Sequence, residues 1–108
     1  MFNHRKLKCY IMAVETAKAV PSLVRSWPYY LSDQFKRAFA SIICNLAEGN
    51  GRQGQKDRKR FFNIAAASAK ESASCIDIAY VYGYISSEAC DYMQDRLLQI
   101  TKMISRLP

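Results

Sequence analysis

The most constraining feature of the sequence is a run of 27 residues, Lys56–Tyr82, that contains neither proline nor glycine. Apolar and small residues recur along it at helical spacing, from Phe61 and Ala65 to Ile76, which predicts an amphipathic α-helix. At a rise of about 1.5 Å per residue, this helix is roughly 40 Å long. Gly83 follows directly and is predicted to end it. A helix of this length indicates an all-α fold.

Three further segments show the same periodicity, so four helices are predicted: about residues 5–24, 33–48, 56–82 and 87–107. No strand-like alternation bounded by turns occurs in the sequence. Because the connectors are short, neighbouring helices are expected to be antiparallel, which gives an up-down-up-down four-helix bundle. A chain of 108 residues has room for one domain, so we predict a single domain over residues 1–108.

Local signals predict where the helices begin and end. Ser32 or Asp33 is the predicted N-cap of the second helix and Ser86 that of the fourth, because such side chains accept hydrogen bonds from free backbone N–H groups. Pro21 lacks an N–H group and should kink or end the first helix. Gly49 is predicted to adopt a left-handed conformation after the second helix.

The composition excludes several classes of protein. Half of the residues are hydrophobic, which is enough for one core and too many for a disordered chain. No run of about 18 apolar residues occurs, so we predict no membrane-spanning helix. No apolar segment follows the basic N-terminal residues, so we predict no signal peptide and a cytoplasmic protein. Thiols stay reduced there, and we expect all four cysteines to be buried core residues: Cys9, Cys44, Cys75 and Cys90.

Catalytic groups are scarce in this sequence. The only histidine, His4, lies near the start of the chain, so neither a His-based triad nor a zinc site is predicted. The helices carry no Glu-x-x-His pattern of the kind that holds two metal ions in bundles. Gly49-Asn50-Gly51 follows a predicted helix rather than a strand and does not match a phosphate-binding loop. We therefore predict a protein that is not an enzyme and needs no metal or cofactor.

The net charge of +7 is unevenly distributed along the chain. Residues 1–70 hold 13 Lys/Arg and four Asp/Glu, whereas residues 71–108 hold three and five. A basic region of this kind indicates an acidic partner such as nucleic acid, or alternatively a solvated surface without a partner. The charge by itself does not decide between the two.

The densest basic segment holds five cations, and four of them are predicted to contact nucleic acid: Arg52, Lys56, Lys59 and Arg60. Lys56, Lys59 and Arg60 share one side of the third helix, from which they can follow a phosphate backbone. Arg58 falls on the core side and is predicted to pair with groups of the bundle itself. The alternative is that this cluster is only a solvated face.

Polar residues flank the apolar side of the second helix in the segment 41–52. Asn45 lies at this flank, and a half-buried amide must find hydrogen-bond partners. Glu48 is spaced to pair with Arg52 or Arg58. We predict that Asn45, Glu48 and Arg58 form a structural clasp between the second and third helices; a ligand-binding role for them is the alternative.

Several apolar residues fall outside the predicted core stripes. In the second helix, Phe39 and Ile43 lie beyond the positions that one core needs. A contiguous exposed apolar patch marks an interaction surface. We therefore predict a homo-oligomer whose interface includes four of these residues: Phe39, Ile43, Tyr92 and Met103.

Motifs over most of the chain, strongest over residues 27–71, follow the pattern of one family. They are Trp27-Pro28, Leu31-x-Asp33-Gln34-x-Lys36-Arg37-Ala38, Ser41-Ile42-x-x-Asn45-Leu46-Ala47-Glu48-Gly49-x-Gly51-Arg52 and Arg60-Phe61-Phe62-x-Ile64-Ala65-x-x-Ser68-Ala69-x-Glu71. The chain resembles the four-helix-bundle proteins encoded in intervening sequences of bacterial 23S rRNA genes. The accessory variability protein of diversity-generating retroelements is part of that family.

The resemblance implies an antiparallel four-helix bundle that assembles into a ring-like homopentamer. For the retroelement branch it also implies a basic ring that binds RNA or DNA and a reverse transcriptase, and we predict an accessory protein of this kind. The segment Asp57–Phe62 favours that branch, whereas Lys8-Cys9-Tyr10 replaces an acidic-aliphatic-Trp pattern common among relatives. The alternative function is a structural protein–protein interaction module of the intervening-sequence type, with no nucleic-acid role.

Overall fold

The computed structural model describes residues 2–108, and these residues are almost entirely helical. A 3₁₀ turn is followed by five α-helices: the turn Asn3–Lys6, α1 Lys8–Ala17, α2 Val20–Leu23, α3 Tyr29–Gly51, α4 Gln55–Val81 and α5 Ser87–Ser105. Residues 2–108 contain no β-strand. The prediction of an all-α fold is therefore confirmed, with four long helices and one short one.

The first predicted helix is divided into three pieces. Leu7 has an extended backbone, with φ −69° and ψ 129°, and separates the 3₁₀ turn from α1. Helix α1 ends at Ala17, although Lys18 and Ala19 keep right-handed helical dihedrals. Pro21, which the sequence predicts to kink or end the first helix, lies in the first turn of the separate α2. Proline is tolerated in a first turn because the N–H group that it lacks has no partner there.

Helix α3 is longer at both ends than the sequence predicts. Pro28 is extended, with φ −64° and ψ 152°, so the helix begins at Tyr29 and the prediction of Ser32 or Asp33 as N-cap is wrong. The predicted left-handed conformation of Gly49 is also wrong, because the helix continues to Gly51. Its end differs from that of α4, where Gly83 has a φ of 81°.

The N-cap predicted for the last helix is confirmed. The Oγ of Ser86 accepts a hydrogen bond from the backbone N–H of Ala89 at 3.1 Å. Ser86 itself is extended, with φ −74° and ψ 162°, which is the usual backbone conformation at this position. Helix α5 is thus the one whose predicted start, at Ser87, matches the observed start.

The helices pack side by side, α3 against α4, α4 against α5, and α1 against both α5 and α3. Ser41 of α3 faces Ser68 of α4, and Gly49 faces Phe62, so residue numbers rise along one helix as they fall along the other. This packing is consistent with the predicted antiparallel bundle. The molecule measures 44 × 22 × 21 Å, so its length is that of α4.

The core runs between the helices and includes one residue, Phe39, that the sequence predicts to lie outside it. Phe39 is 2% exposed and its ring lies 5.9 Å from that of Phe35, so the expectation that it falls outside the core is wrong. Its side chain is buried within the bundle and is therefore not accessible to another copy. Of the other predicted interface residues, Ile43 and Met103 are partly buried against the core and Tyr92 is 48% exposed.

Three of the four cysteines are core residues, as expected, and one is not. Cys9, Cys75 and Cys90 are buried, whereas Cys44 is exposed on the outer side of α3. Burial raises the pKa of the Cys9, Cys75 and Cys90 thiols above the ordinary value, since a thiolate would lose its hydration there. These three thiols therefore act as small apolar groups at neutral pH.

No helix formed by residues 2–108 combines the length and the apolarity that crossing a membrane requires.

Candidate nucleic-acid interface

One end of the bundle is assembled from segments that are distant in the sequence. Lys59 of α4 lies in one groove with Ser105 of α5, and Lys8 of α1 lies in another groove with Arg106. The end of α3 joins this group through the short connection to α4. The starts of α1 and α4 and the ends of α3 and α5 therefore meet at one end of the molecule.

This end is strongly basic. We call it the basic end, and it comprises residues 2–11, 41–68 and 101–108. It holds ten Lys/Arg and two Asp/Glu, a net charge of +8, whereas the remaining described residues hold six and seven, a net charge of −1. Folding thus converts a gradient along the sequence into a polarity along the bundle. Lys8 of α1 and Lys102 of α5 belong to this end, although sequence reasoning did not include them in the site.

The four predicted contact residues lie at the basic end but fall into two groups. Lys56 and Lys59 are exposed on the first two turns of α4, and neither has an ion-pair partner among residues 2–108. Their charges face solvent without compensation. Arg52 and Arg60, in contrast, are both held by carboxylates.

Asp57 is the acidic residue between the two arginines. Its Oδ1 accepts hydrogen bonds from Nη2 and Nε of Arg60 at 3.1 and 3.3 Å, and its Oδ2 lies 3.6 Å from Nε of Arg52. Both guanidinium groups also lie over the ring of Phe61, with Cζ 4.8 Å from the centroid for Arg52 and 4.4 Å for Arg60. Such cation–π contacts add about 0.5–1 kcal/mol at exposed sites.

Glu48 completes this arrangement. Its Oε2 accepts a hydrogen bond from Nη2 of Arg52 at 2.9 Å, and Arg52 is the residue through which Glu48 reaches Asp57 and α4. Of the two partners considered for Glu48, the structure thus places Arg52 beside it and not Arg58. Glu48, Arg52, Asp57 and Arg60 form a chain with no net charge. Ion pairs this exposed contribute little to stability.

Arg58 supports the end of α3. Its Nη1 donates hydrogen bonds to the carbonyl oxygens of Asn50 at 3.1 Å and Arg52 at 3.3 Å, and its Cζ lies 5.5 Å from the centroid of Phe62. The last carbonyl groups of a helix have no partners inside it and need such donors. Arg58 is therefore positioned as a structural residue, on the side of α4 that the sequence predicts.

Asn45 is linked to α4 through a second residue. Its Nδ2 donates to the carbonyl oxygen of Ser41 at 2.8 Å and lies 3.0 Å from the Oγ of Ser41, which in turn is 2.7 Å from the Oγ of Ser68. The hydrogen bonds of the amide therefore stay within α3. It orients a serine that does.

Gly49 permits the close approach of α3 and α4. A Cβ atom at this position would lie 2.7 Å from Cε1 of Phe62 and 3.1 Å from Cβ of Phe61. A Cβ at Gly51, two residues nearer the helix end, would meet nothing within 4 Å. The glycine in the Asn-x-Ala-Glu-Gly motif is thus required by packing between helices and not by a turn.

A family model described as 23S rRNA-intervening sequence protein matches residues 5–106. The chain belongs to this family. The match extends from the 3₁₀ turn past the end of α5, so it includes every helix and all of the predicted contact residues. The predicted family is confirmed. A search of curated proteins gave no match.

The match to the 23S rRNA-intervening sequence family includes nearly all of the basic end. The family description names no reaction and no ligand, so what this member binds must be argued from its own surface. That surface offers uncompensated lysines at one end, two arginines held by carboxylates beside them, and a polar network that joins α3 to α4.

Proposed function

We propose that this member of the family is a non-enzymatic protein that binds nucleic acid through the basic end of an antiparallel, up-down-up-down four-helix bundle. The observation that carries the proposal is the net charge of +8 gathered at that end from three separate stretches of chain. A concentration of positive charge attracts the phosphate backbone, and the release of counterions then favours binding.

The lysines are the principal phosphate contacts in this proposal. Lys56 and Lys59 are free to approach a phosphate without leaving another partner. Arg52 and Arg60 would have to share their donors with Asp57 and Glu48, so they contribute less per charge. Phosphate contacts of this type position a strand and do not read its sequence.

We further place the protein in a homo-oligomer that assists a reverse transcriptase of a diversity-generating retroelement. The pentameric ring and the enzyme partner follow from the resemblance of the central motifs to that branch. Exposed apolar side chains on the outer faces of α4 and α5, among them Val81, Tyr92 and Leu98, support association with another copy. A ring would repeat the basic end and so multiply the contacts available to one long nucleic acid.

Titration of labelled RNA and DNA at several salt concentrations tests the proposal. The variant Lys56→Glu/Lys59→Glu should lose binding at about 0.15 M salt, because it reverses two free charges at the basic end. The matched control is Arg25→Glu/Lys36→Glu, which makes the same change of net charge at exposed residues outside the basic end. The control should keep most of its affinity, and both variants should keep their helical circular dichroism.

Two results would contradict the proposal. If both variants lose affinity equally, binding reflects total charge and not the basic end. If the unmodified protein binds neither RNA nor DNA at about 0.15 M salt, the protein is better described as a structural interaction module. Light scattering on the same samples measures the number of subunits, and a monomer at micromolar concentration would refute the oligomer.

A further inference from the structure

A groove lies between α4 and α5 and runs from the basic end towards the middle of the bundle. Its volume is about 420 Å³, within the range of roughly 300–1,000 Å³ common for small-molecule sites. It is lined by Gln55, Lys59, Phe62, Asn63, Ala66, Lys70, Thr101, Ile104, Ser105, Leu107 and Pro108. Lysine, amide and hydroxyl groups therefore surround an apolar floor.

The α4 side of the groove is a single row of residues. Lys59, Asn63, Ala66 and Lys70 are spaced by four, three and four positions, which places them on the same side of the helix. Lys70 lies eleven positions after Lys59, a distance of roughly 16 Å along the axis. The row thus has a cation at each end and an amide and a methyl group between them.

The polar groups of this row have no partners in the bundle. The side chains of Lys59, Asn63 and Lys70 make no hydrogen bond or ion pair with any other residue of 2–108. No carboxylate side chain lines the groove. The floor is apolar, since the core residues Phe62 and Ile104 line it. The groove therefore favours a ligand that combines negative charge with a flat apolar part and a polar edge.

We infer that this groove binds one unpaired nucleotide of a nucleic-acid strand, an inference that rests on the function proposed above. Phosphates on either side of the nucleotide, about two to three nucleotides apart along the strand because the two lysines lie roughly 16 Å apart, contact Lys59 and Lys70. The base lies on the floor beside Ala66, and Asn63 hydrogen-bonds its edge. An amide suits this role because it both donates and accepts hydrogen bonds.

The groove distinguishes single strands from duplexes. It is a groove of about 420 Å³ between two packed helices, so an unpaired base can enter it, whereas the paired and stacked bases of a duplex cannot. In a duplex the bases are stacked and paired, and extracting one costs a few kcal/mol. Single-stranded RNA or DNA should therefore bind more tightly than a duplex of equal phosphate count, although the free lysines attract both.

The decisive experiment fills the groove without changing the charge. Ala66→Leu places a larger side chain on the floor, and Ala40→Leu is the matched control, because Ala40 is an exposed alanine of α3 that lies outside the basic end and does not line this groove. We expect Ala66→Leu to weaken binding of a labelled single-stranded oligonucleotide about tenfold, which corresponds to about 1.4 kcal/mol. Duplex binding should change little, and Ala40→Leu should bind both as the unmodified protein does.

A second pair of variants tests the cation at the inner end of the groove. Lys70→Gln should weaken single-strand binding and lower the slope of log affinity against log salt by about 0.7. Lys36→Gln removes the same charge from an exposed residue of α3 and should leave the slope unchanged. Because Lys70 is exposed, this pair remains informative if Ala66→Leu fails to fold.

The outcomes separate this inference from the proposed function. If Ala66→Leu and Lys70→Gln bind single strands as their controls do, the groove inference is wrong while nucleic-acid binding stands. If Lys56→Glu/Lys59→Glu also binds normally, both are wrong. A change in the subunit number of Ala66→Leu, measured by light scattering, would instead identify the groove as an interface between copies. Titration with a free nucleoside monophosphate shows whether the groove is a site for small ligands or requires a nucleic-acid strand. A monophosphate that binds the unmodified protein but not Ala66→Leu would identify a site for small ligands.

Discussion

Helix α4 contacts α3 and α5 in two different ways. On the α3 side its polar groups are paired: the hydroxyl groups of Ser41 and Ser68 lie 2.7 Å apart, and the Oγ of Ser72 donates to the carbonyl oxygen of Ser68 at 2.9 Å. Arg58 donates to the end of α3, and Gly49 lets the two helices approach closely. This side has little room and few unpaired groups.

The α5 side of the same helix differs near the basic end. There Lys59, Asn63 and Lys70 line an open groove and have no partners among residues 2–108. Farther along α4, polar groups are again hydrogen-bonded to α5: Nε2 of Gln94 donates to the carbonyl oxygen of Ala73 and to Oδ1 of Asp77. Paired polar groups stabilise the fold, whereas unpaired groups in a groove remain available to a ligand.

The largest expected effect is on the close-packed side. Gly49→Ala should lower the free energy of unfolding by about 1–3 kcal/mol, because its methyl group would overlap the ring of Phe62. Gly51→Ala is the control; it adds the same group in open space and should raise stability by up to about 1 kcal/mol. Urea unfolding of both variants measures the difference. Equal stability of the two would mean that α3 and α4 do not approach as closely as described.

A second comparison replaces two asparagines by alanine, the hydrogen-bonded Asn45 and the unpaired Asn63. Asn45→Ala should cost about 1 kcal/mol of stability, because its hydrogen bonds to Ser41 are lost while Ser41 keeps its contact with Ser68. Asn63→Ala should change stability by less than about 0.5 kcal/mol, since its side chain is exposed and unpaired. Nucleic-acid affinity should show the reverse order, with Asn63→Ala weakened and Asn45→Ala unchanged. Weakened binding by a normally folded Asn45→Ala would show that Asn45 is a binding residue and not only a structural one.

The smallest effect is expected at Asp57. Asp57→Asn removes the carboxylate that holds Arg60, which can then contact phosphate, whereas Arg52 keeps its ion pair with Glu48. Affinity should rise, and on duplex DNA the slope of log affinity against log salt should steepen by up to about 0.9 for the released Arg60. The loss of stability should stay below about 1 kcal/mol, as for other exposed ion pairs. A fall in affinity would show that Asp57 holds the arginines in the binding geometry.

The helices were predictable because their signals are local. The run without proline or glycine at residues 56–82 coincides within a residue with α4, and Ser86 caps α5 as expected. The predicted helix boundaries were wrong where a single residue has an extended backbone conformation. Pro28, extended and followed by helix, moved the start of α3 to Tyr29, and Leu7 divided the first helix.

The candidate site was only partly predictable. The sequence identified Lys56 and Lys59 from their spacing on one helix, but it counted Arg52 and Arg60 as equivalent to them. The signal that separates the arginines is Asp57, whose spacing of three from Arg60 is visible in the sequence. Its reach across the connection to Arg52 is not visible, because it depends on how α3 ends.

By itself, the sequence determined the helical class, the positions of the long helices, the family motifs and the basic character of the chain, all of which depend on residues close together in sequence. Tertiary structure decided that Phe39 is a core residue, that Gly49 serves packing, and that charges from α1, α4 and α5 share one end. It also decided which polar groups on α4 are paired and which line a groove. These properties depend on distances between segments far apart in the chain, which arise only when the helices bury their apolar sides against one another.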